Sequence, residues 1–383
     1  MQFHKVAERA DIPPFHVMDV VSAANARQRS HGDVISLAAG QPSTGAPAAV
    51  RRAAAEAIDA GPLGYTEQVG IPELRQAIAA HYRRYDLDIA ESDVIVTTGS
   101  SGGFLLAFLA AFDAGDRVAL ARPGYPAYRN ILSALGCEVV DLPCGADVRF
   151  QPTVAMLEEA GPLDGVIVAS PANPTGTVLD AAELAAIATW CAERGVRLIS
   201  DEIYHGISYG VPTACAWESS REAVVVNSFS KYFGMTGWRL GWLLVPPGLH
   251  RAVDRLTGNF HLCAPAIAQH AAVAAFTPAT YAELDTHVTR YRTNRDILIA
   301  GLADLGVTEV APADGAFYAY ADVSHLTDDS MDFCKRLLAD TGVAIVPGID
   351  FDPVAGRRFV RLSFAGSTED VREALARIGG WLR

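Results

Sequence analysis

From about residue 93 to residue 246, short β-branched and apolar runs alternate with longer stretches whose apolar residues recur at helical spacing. Seven runs read as strands: residues 94–96, 117–120, 137–142, 165–169, 197–200, 223–227 and 240–245. Residues 101–112, 127–135 and 181–194 fit helices between them, and 252–276 reads as one further helix. Strands alternating with helices over this length predict an α/β unit: a mostly parallel seven-stranded sheet covered by helices on both faces.

The flanking segments carry a different pattern. Pro13-Pro14 breaks any early helix, after which 17–29 fits an amphipathic helix and 34–37 a short strand. Helices follow at 46–60 and 71–85, separated by the Gly/Pro loop that presents Tyr65. Residues 281–305 form one long helix with Arg and Asp on its polar side, leading into strand candidates at 317–321, 343–346 and 359–364 and helices at 331–340 and 368–382. The expected organisation is an N-terminal segment (1–45) packed with a smaller α+β domain (286–383), around a large domain (46–285).

Composition narrows the class. In 383 residues, 50% are hydrophobic and 20% charged, which gives a large core in a soluble protein. The net charge of −13 and pI near 5.2 argue against a nucleic-acid or anionic-membrane surface. Six cysteines show neither a C-x-x-C pair nor a Cys/His ligand spacing, so no metal site is expected; they read as buried small hydrophobes in a reducing compartment. The N-terminus has no signal-peptide core and no apolar run reaches membrane-spanning length, so a cytoplasmic location without membrane contact is expected.

Polar groups gather just after the predicted strands, where parallel sheets place ligand sites. Thr97-Thr98-Gly99-Ser100-Ser101-Gly102-Gly103 precedes an apolar helix, so its free N–H groups suit a phosphate, although the same residues also suit a simple turn. No G-K-[ST] follows, and G-x-G-x-x-G is absent. Tyr125 stands among turn residues, either to stack on a planar ring or as a partly buried loop side chain. Asn173 lies between two prolines, as a donor and acceptor or as an ordinary turn opener. Asp201-Glu202 ends a buried strand, and an unpaired buried carboxylate is costly, so one acid needs a cationic partner such as a protonated heterocyclic nitrogen. Lys231, just past a β-branched strand and flanked by Ser and Gly, suits an imine-forming amine or a solvated loop charge.

Taken together, Gly99-Ser100-Ser101-Gly102, Tyr125, Asn173-Pro174-Thr175-Gly176, Asp201-Glu202-Ile203-Tyr204, Ser228-x-Ser230-Lys231, Gly237-Trp238-Arg239-x-Gly241 and Arg361-Leu362-Ser363 occur in a shared order. That order resembles the fold-type-I pyridoxal-phosphate aminotransferases of the aspartate aminotransferase superfamily, class I/II, over nearly the whole chain. The resemblance implies pyridoxal 5′-phosphate as cofactor and an amino acid and a 2-oxo acid as substrates. It implies that Lys231 carries the cofactor and shuttles the proton, that Asp201 pairs with the ring nitrogen, and that Tyr204 and Asn173 meet the ring oxygen. By the same likeness Tyr125 stacks on the ring, and Ser100, Ser101, Gly102, Ser228, Ser230 and Arg239 form the phosphate cup. Arg361 is implied to clamp the substrate carboxylate beside the Gly40 backbone, and Tyr65 to reach the neighbouring phosphate in a homodimer.

One position departs from the pattern. Relatives acting on aspartate commonly carry a Lys just after the phosphate-binding glycines, whereas this chain reads Gly102-Gly103-Phe104. Phe104 is therefore expected in the substrate site, with neutral or aromatic donors favoured over aspartate. The shared scaffold leaves a C–S β-elimination lyase open, and a non-catalytic ligand-sensing regulator as a remote reading that the acidic charge disfavours.

Overall fold

The computed structural model describes residues 4–383. Its strands are β1 (Ile35–Ser36), β2 (Val94–Thr97), β3 (Arg117–Arg122), β4 (Glu138–Pro143), β5 (Gly165–Ala169), β6 (Arg197–Asp201), β7 (Val224–Ser228), β8 (Gly241–Leu244), β9 (Tyr318–Asp322), β10 (Val343–Ala344), β11 (Val346–Pro347) and β12 (Phe359–Ser363). Its helices are α1 (His16–His31), α2 (Ala48–Asp59), α3 (Pro72–His81), α4 (Gly99–Ala111), α5 (Pro126–Leu135), α6 (Val154–Glu159), α7 (Ala181–Arg194), α8 (Pro247–Phe260), α9 (Ala266–Ala272), α10 (Pro278–Asp304), α11 (Ser330–Thr341) and α12 (Thr368–Leu382).

Seven strands pair in the order β2-β8-β7-β6-β5-β3-β4, all parallel except β8, which runs antiparallel to both neighbours. The near-continuous apolar strands follow from burial on both faces. Along β7, Val224 and Val226 join the cluster of Phe104, Phe108 and Leu120, while Val225 points the other way into the cluster of Val166, Leu198 and Trp242. Helix ends are set locally: the Asp180 carboxylate accepts from Glu183 N at 2.8 Å to open α7, and Gly195, at φ +68°, closes it.

A three-stranded antiparallel sheet, β11-β12-β9, forms the second layer system, and β1 pairs in parallel with β10. That pairing fixes the N-terminal segment to the C-terminal part, since Ser363 N also donates to Leu37 O at 2.7 Å. Helix α10 runs unbroken from Pro278 to Asp304, so the expected boundary at 285/286 falls inside one continuous rod.

Three expectations need correction. The single helix over 252–276 is broken: α8 ends at Phe260, Leu262 turns left-handed at φ +60°, and α9 begins only after Pro265, which has no N–H to continue a helix. The helix over 71–85 ends at His81 and tightens into a 3₁₀ turn over Tyr82–Tyr85. The strand over 343–346 is two strands, because the chain changes partner at Ile345, from β1 to β12. Five cysteines are buried as expected and Cys263 is half-buried.

The loop after β7 is gripped by an aromatic cluster. Phe229 lies 5.0 Å from Trp242, 5.1 Å from Phe233 and 5.6 Å from Phe276, ring centre to ring centre, and the Trp242 indole donates to Tyr82 Oη at 3.0 Å. Phe229→Ala is expected to lower unfolding stability by about 3–5 kcal/mol, as large aromatic truncations in cores do. Val354→Ser, at a 72% exposed side chain, should stay within about 0.5 kcal/mol. Urea midpoints read both, and equal midpoints would refute the anchoring role of Phe229.

Candidate active site

The carboxyl ends of β5, β6 and β7, the amino end of α4 and the β12 strand enclose a cavity of about 530 Å³. Lys231, Asp201, Tyr204, Asn173, Tyr125, Ser100, Ser101, Ser230, Arg239, Arg361 and Gly40 all line it. Residues separated by more than 300 positions thus meet at one sheet edge, as expected for a parallel sheet with its ligand at the strand ends.

Asp201 ends β6, buried, with Oδ1 accepting Ile203 N at 3.0 Å and Oδ2 accepting the Tyr128 hydroxyl. Burial pushes its carboxyl up to about 6, against the Tyr128 and Ile203 donors and the Lys231 charge, which hold it down. A buried acid with neutral donors and only a partial cation nearby is suited to a ligand N–H⁺.

Lys231 is one of three lysines in the chain, with Lys5 and Lys335. Its Nζ donates to Gly40 O at 2.5 Å and sits 5.6 Å from the Tyr204 ring centre. Burial first, then the Arg361 and Arg239 charges, bring this amine down to about 8, with Asp201 opposing. An amine near 8 is neutral in a substantial fraction at ordinary pH, as a nucleophile or proton carrier requires.

Arg361, 2% exposed on β12, donates from Nη1 to Asn173 Oδ1 at 3.0 Å and from Nη2 to Ala38 O at 2.8 Å. Its plane lies over the Tyr318 ring at 4.4 Å and the Phe351 ring at 4.9 Å, and its Nε has no partner among the described residues. Both measured hydrogen bonds go to neutral oxygens, so this buried guanidinium has a clear use for a ligand carboxylate. Gly40 is required here: a Cβ would come within 2.7 Å of Tyr318 Oη.

At the amino end of α4 the chain makes a cradle. Gly99 sits at φ +68°, where a Cβ would stand 2.6 Å from Arg239 Nη2, and a Cβ on Gly241 would stand 2.8 Å from Ser100 N. Thr98 caps the helix without a side-chain bond, and Arg239 stands beside Gly99 at its first turn. A helix start, a guanidinium and the hydroxyls of Ser100, Ser101 and Ser230 fit a phosphate. The Ser228 hydroxyl turns inward instead, accepting Ser230 N at 3.0 Å, and does not line the cavity. Gly102 lies one step further along α4, facing Thr98 and His261, also outside the lining.

Phe104 is a correction. It is 2% exposed, packs edge-on against Tyr128 at 5.0 Å, and does not line the cavity. Phe104 shares the face of α4 that carries Ser100 and Ser101 but stands one turn further along, where Tyr128 lies between it and the cavity. Tyr65, 85% exposed on the loop after α2, lies outside this chain's own cavity.

Several lining residues went unread in the sequence. Tyr128 stands one turn after Tyr125 on α5, an i, i+3 spacing that could have paired them. Tyr318 on β9 shares a hydrogen bond with Tyr204, Oη to Oη, at 2.7 Å. Phe15, Val17, Met18 and Val21 bring α1 over the cavity, with Phe15 edge-on to Tyr125 at 6.0 Å. The Asp350 carboxylate holds that helix start, accepting His16 N at 3.0 Å and Val17 N at 2.6 Å, from more than 330 residues away.

An anion cradle, an acid for a ring nitrogen, an aromatic side chain beside it and a lysine amine together fit pyridoxal 5′-phosphate. Comparison with known proteins agrees. Residues 32–378 match the family model for aminotransferase class I and II. The chain is 64% identical to valine–pyruvate aminotransferase of Mycobacterium tuberculosis, over 99% of this chain and 98% of that one. Among solved structures, an aminotransferase from Mycobacterium tuberculosis superposes with a TM-score of 0.98 at 64% identity, covering 99% of both chains. Aspartate aminotransferase from Thermus thermophilus with maleate superposes with a TM-score of 0.94 at 32% identity, covering 99% of this chain and 100% of that one. This chain belongs to the class I and II aminotransferases, a family that works with pyridoxal 5′-phosphate.

Proposed function

We propose that this aminotransferase takes the amino group from a neutral, apolar L-amino acid and passes it to a 2-oxo acid, in two half-reactions at one site. The observation that carries the reading is the pairing of one buried arginine whose hydrogen bonds go to neutral oxygens, Arg361, with an apolar wall of Phe15, Val17, Met18 and Val21. The other cations lining the cavity, Lys231 and Arg239, are taken by the proton and phosphate roles, which leaves none among the described residues lining it for a side-chain carboxylate. The name of the Mycobacterium tuberculosis relative, valine–pyruvate aminotransferase, supports a branched donor and a short 2-oxo acid acceptor.

Bound pyridoxal phosphate supplies the electrophilic carbon and the ring that accepts electrons from the substrate Cα. The residues do the rest. Arg239 and the α4 N–H groups hold the phosphate. Asp201, braced by Tyr128 and Ile203 N, keeps a proton on the ring nitrogen. Asn173 and Tyr204 meet the ring oxygen, and the Tyr318 hydroxyl fixes that of Tyr204. Arg361 grips the α-carboxylate of donor and acceptor alike, so each must leave before the next enters. Lys231, kept partly neutral by burial and then by the Arg361 and Arg239 charges, is the group that would take up and hand back the Cα proton.

We also read the protein as a homodimer in which Tyr65, exposed on its loop, reaches the neighbouring phosphate cradle. Its 85% exposure in one chain supports that reading.

Two measurements test the proposal. With pyruvate as acceptor, kcat/KM for valine should exceed that for aspartate by at least tenfold, about 1.4 kcal/mol in the barrier; aspartate equal or faster would sink the donor assignment. Arg361→Ala should cut kcat/KM for valine by roughly 100-fold or more, in line with the ~2–5 kcal/mol of a buried charge pair. The same variant should lose distinctly less on isobutylamine, which is valine without its carboxylate and feels Arg361 only through the Lys231 amine. An equal loss on both amines would mean that Arg361 acts on folding or on the cofactor instead.

A further inference from the structure

We infer that Asp350 is a positioning residue for donor selectivity: from the turn after β11, its carboxylate seats the apolar α1 wall over the cavity that Arg361 lines. The inference rests on the donor reading above and adds the residue that keeps the wall in place.

Helix α1 is weakly held by packing. Of its 16 residues only Val17 and Ala24 are buried, and residues 4–14 before it are exposed. A helix with so little buried surface depends on the contacts at its ends. At the far end Arg27 donates to both oxygens of Asp33, at 2.9 and 2.6 Å, and to Ala339 O at 2.5 Å. The end over the cavity starts from Phe15, whose side chain cannot cap it, so the first N–H groups need an outside acceptor. Asp350 is that acceptor, with one oxygen for His16 N and the other for Val17 N. A carboxylate at this end is also favoured by the helix dipole.

The turn that carries Asp350 borders the rest of the substrate site. A Cβ on Gly348 would stand 2.6 Å from Gly356 O, so the turn has little room to move. Phe351 lies under Arg361 at 4.9 Å, and its carbonyl accepts Gly124 N at 3.0 Å, one residue before Tyr125. Asp350 thus joins α1 to a turn already locked to Arg361 and to the Tyr125 loop. Met18 and Val21 are thereby held at a set distance from Arg361, and a donor side chain must fill the space between them. Asparagine at 350 could accept only one of the two N–H groups and would turn its own NH₂ toward the other.

The donor half-reaction of holoenzyme, followed by cofactor absorbance in stopped flow, gives a dissociation constant and a maximal rate for each donor. In the wild type, binding should tighten from alanine through 2-aminobutyrate to valine. Asp350→Asn should weaken valine about five- to tenfold, as loss of a helix cap does. Alanine, too short to reach the wall, should weaken about twofold or less, and maximal rates should change less than binding. Met18→Ala with Val21→Ala trims the wall, leaves the turn intact, and should cost valine a similar factor. Adding Asp350→Asn to that pair should cost valine no more than it costs alanine, because the carboxylate acts through the wall. An equal loss on all three donors from Asp350→Asn, or its full loss on valine in the trimmed background, would overturn the role of Asp350. Valine binding untouched by trimming would overturn the wall as the selecting surface, and this role with it. The wild-type ratio of valine to aspartate decides the donor class separately.

Discussion

Around the main cavity, three ionisable groups are buried within reach of one another without neutralising one another. Asp201 is braced by neutral donors, Arg361 by neutral acceptors, and Lys231 points its amine at a backbone carbonyl. Charges removed from water in this way are sustained only by a rigid surround, and they favour a ligand that brings the missing counter-charges. A cationic ring nitrogen for Asp201 and a carboxylate for Arg361 would complete both. Lys231 is then left as the amine that burial, and then two nearby arginines, push toward its neutral form.

The rigid surround is the sheet itself. Register places Asp201 beside Ala169 on one side and Val226 on the other, and Ser228 opposite Gly241, so the ends of β6 and β7 deliver the acid and the lysine loop at fixed spacing. The Phe229–Phe233–Trp242 cluster then clamps the loop from below. Arg361 arrives from the second sheet, carried by β12 between β11 and β9. Close approach does the fine positioning, and glycine is used where the backbone must come nearest: Gly40 under Tyr318 and Gly99 under Arg239.

Much of this arrangement was legible in the chain, because strand-end motifs announce themselves through turn residues next to β-branched runs. Lys231, Asp201, Asn173 and Tyr125 could be named that way, Tyr204, Arg239 and Arg361 only through the family resemblance, and all of them line one cavity. Tyr128 and Tyr318 could not. Both belong to regular elements and look like core aromatics until the third dimension brings a buried hydroxyl against Asp201 or Tyr204. The α1 wall was hidden for a different reason, since Asp350 holds its start from the far end of the sequence. Phe104 misled because it shares the α4 face of Ser100 and Ser101, and only the fold puts Tyr128 between that ring and the cavity. The break between α8 and α9 was readable at Pro265, but the strong helical periodicity on either side concealed it.

Everything at this site depends on the surround lowering the Lys231 amine. Acetic anhydride labelling of cofactor-free protein, read by mass spectrometry at Lys231 and corrected for reagent hydrolysis, measures it across pH 6 to 11. Protonated amine does not react, so labelling must rise as the proton leaves. Half-maximal labelling is expected near pH 8, in keeping with an amine brought down to about 8. A half-maximum above about 10, the range of an unperturbed lysine, would contradict it.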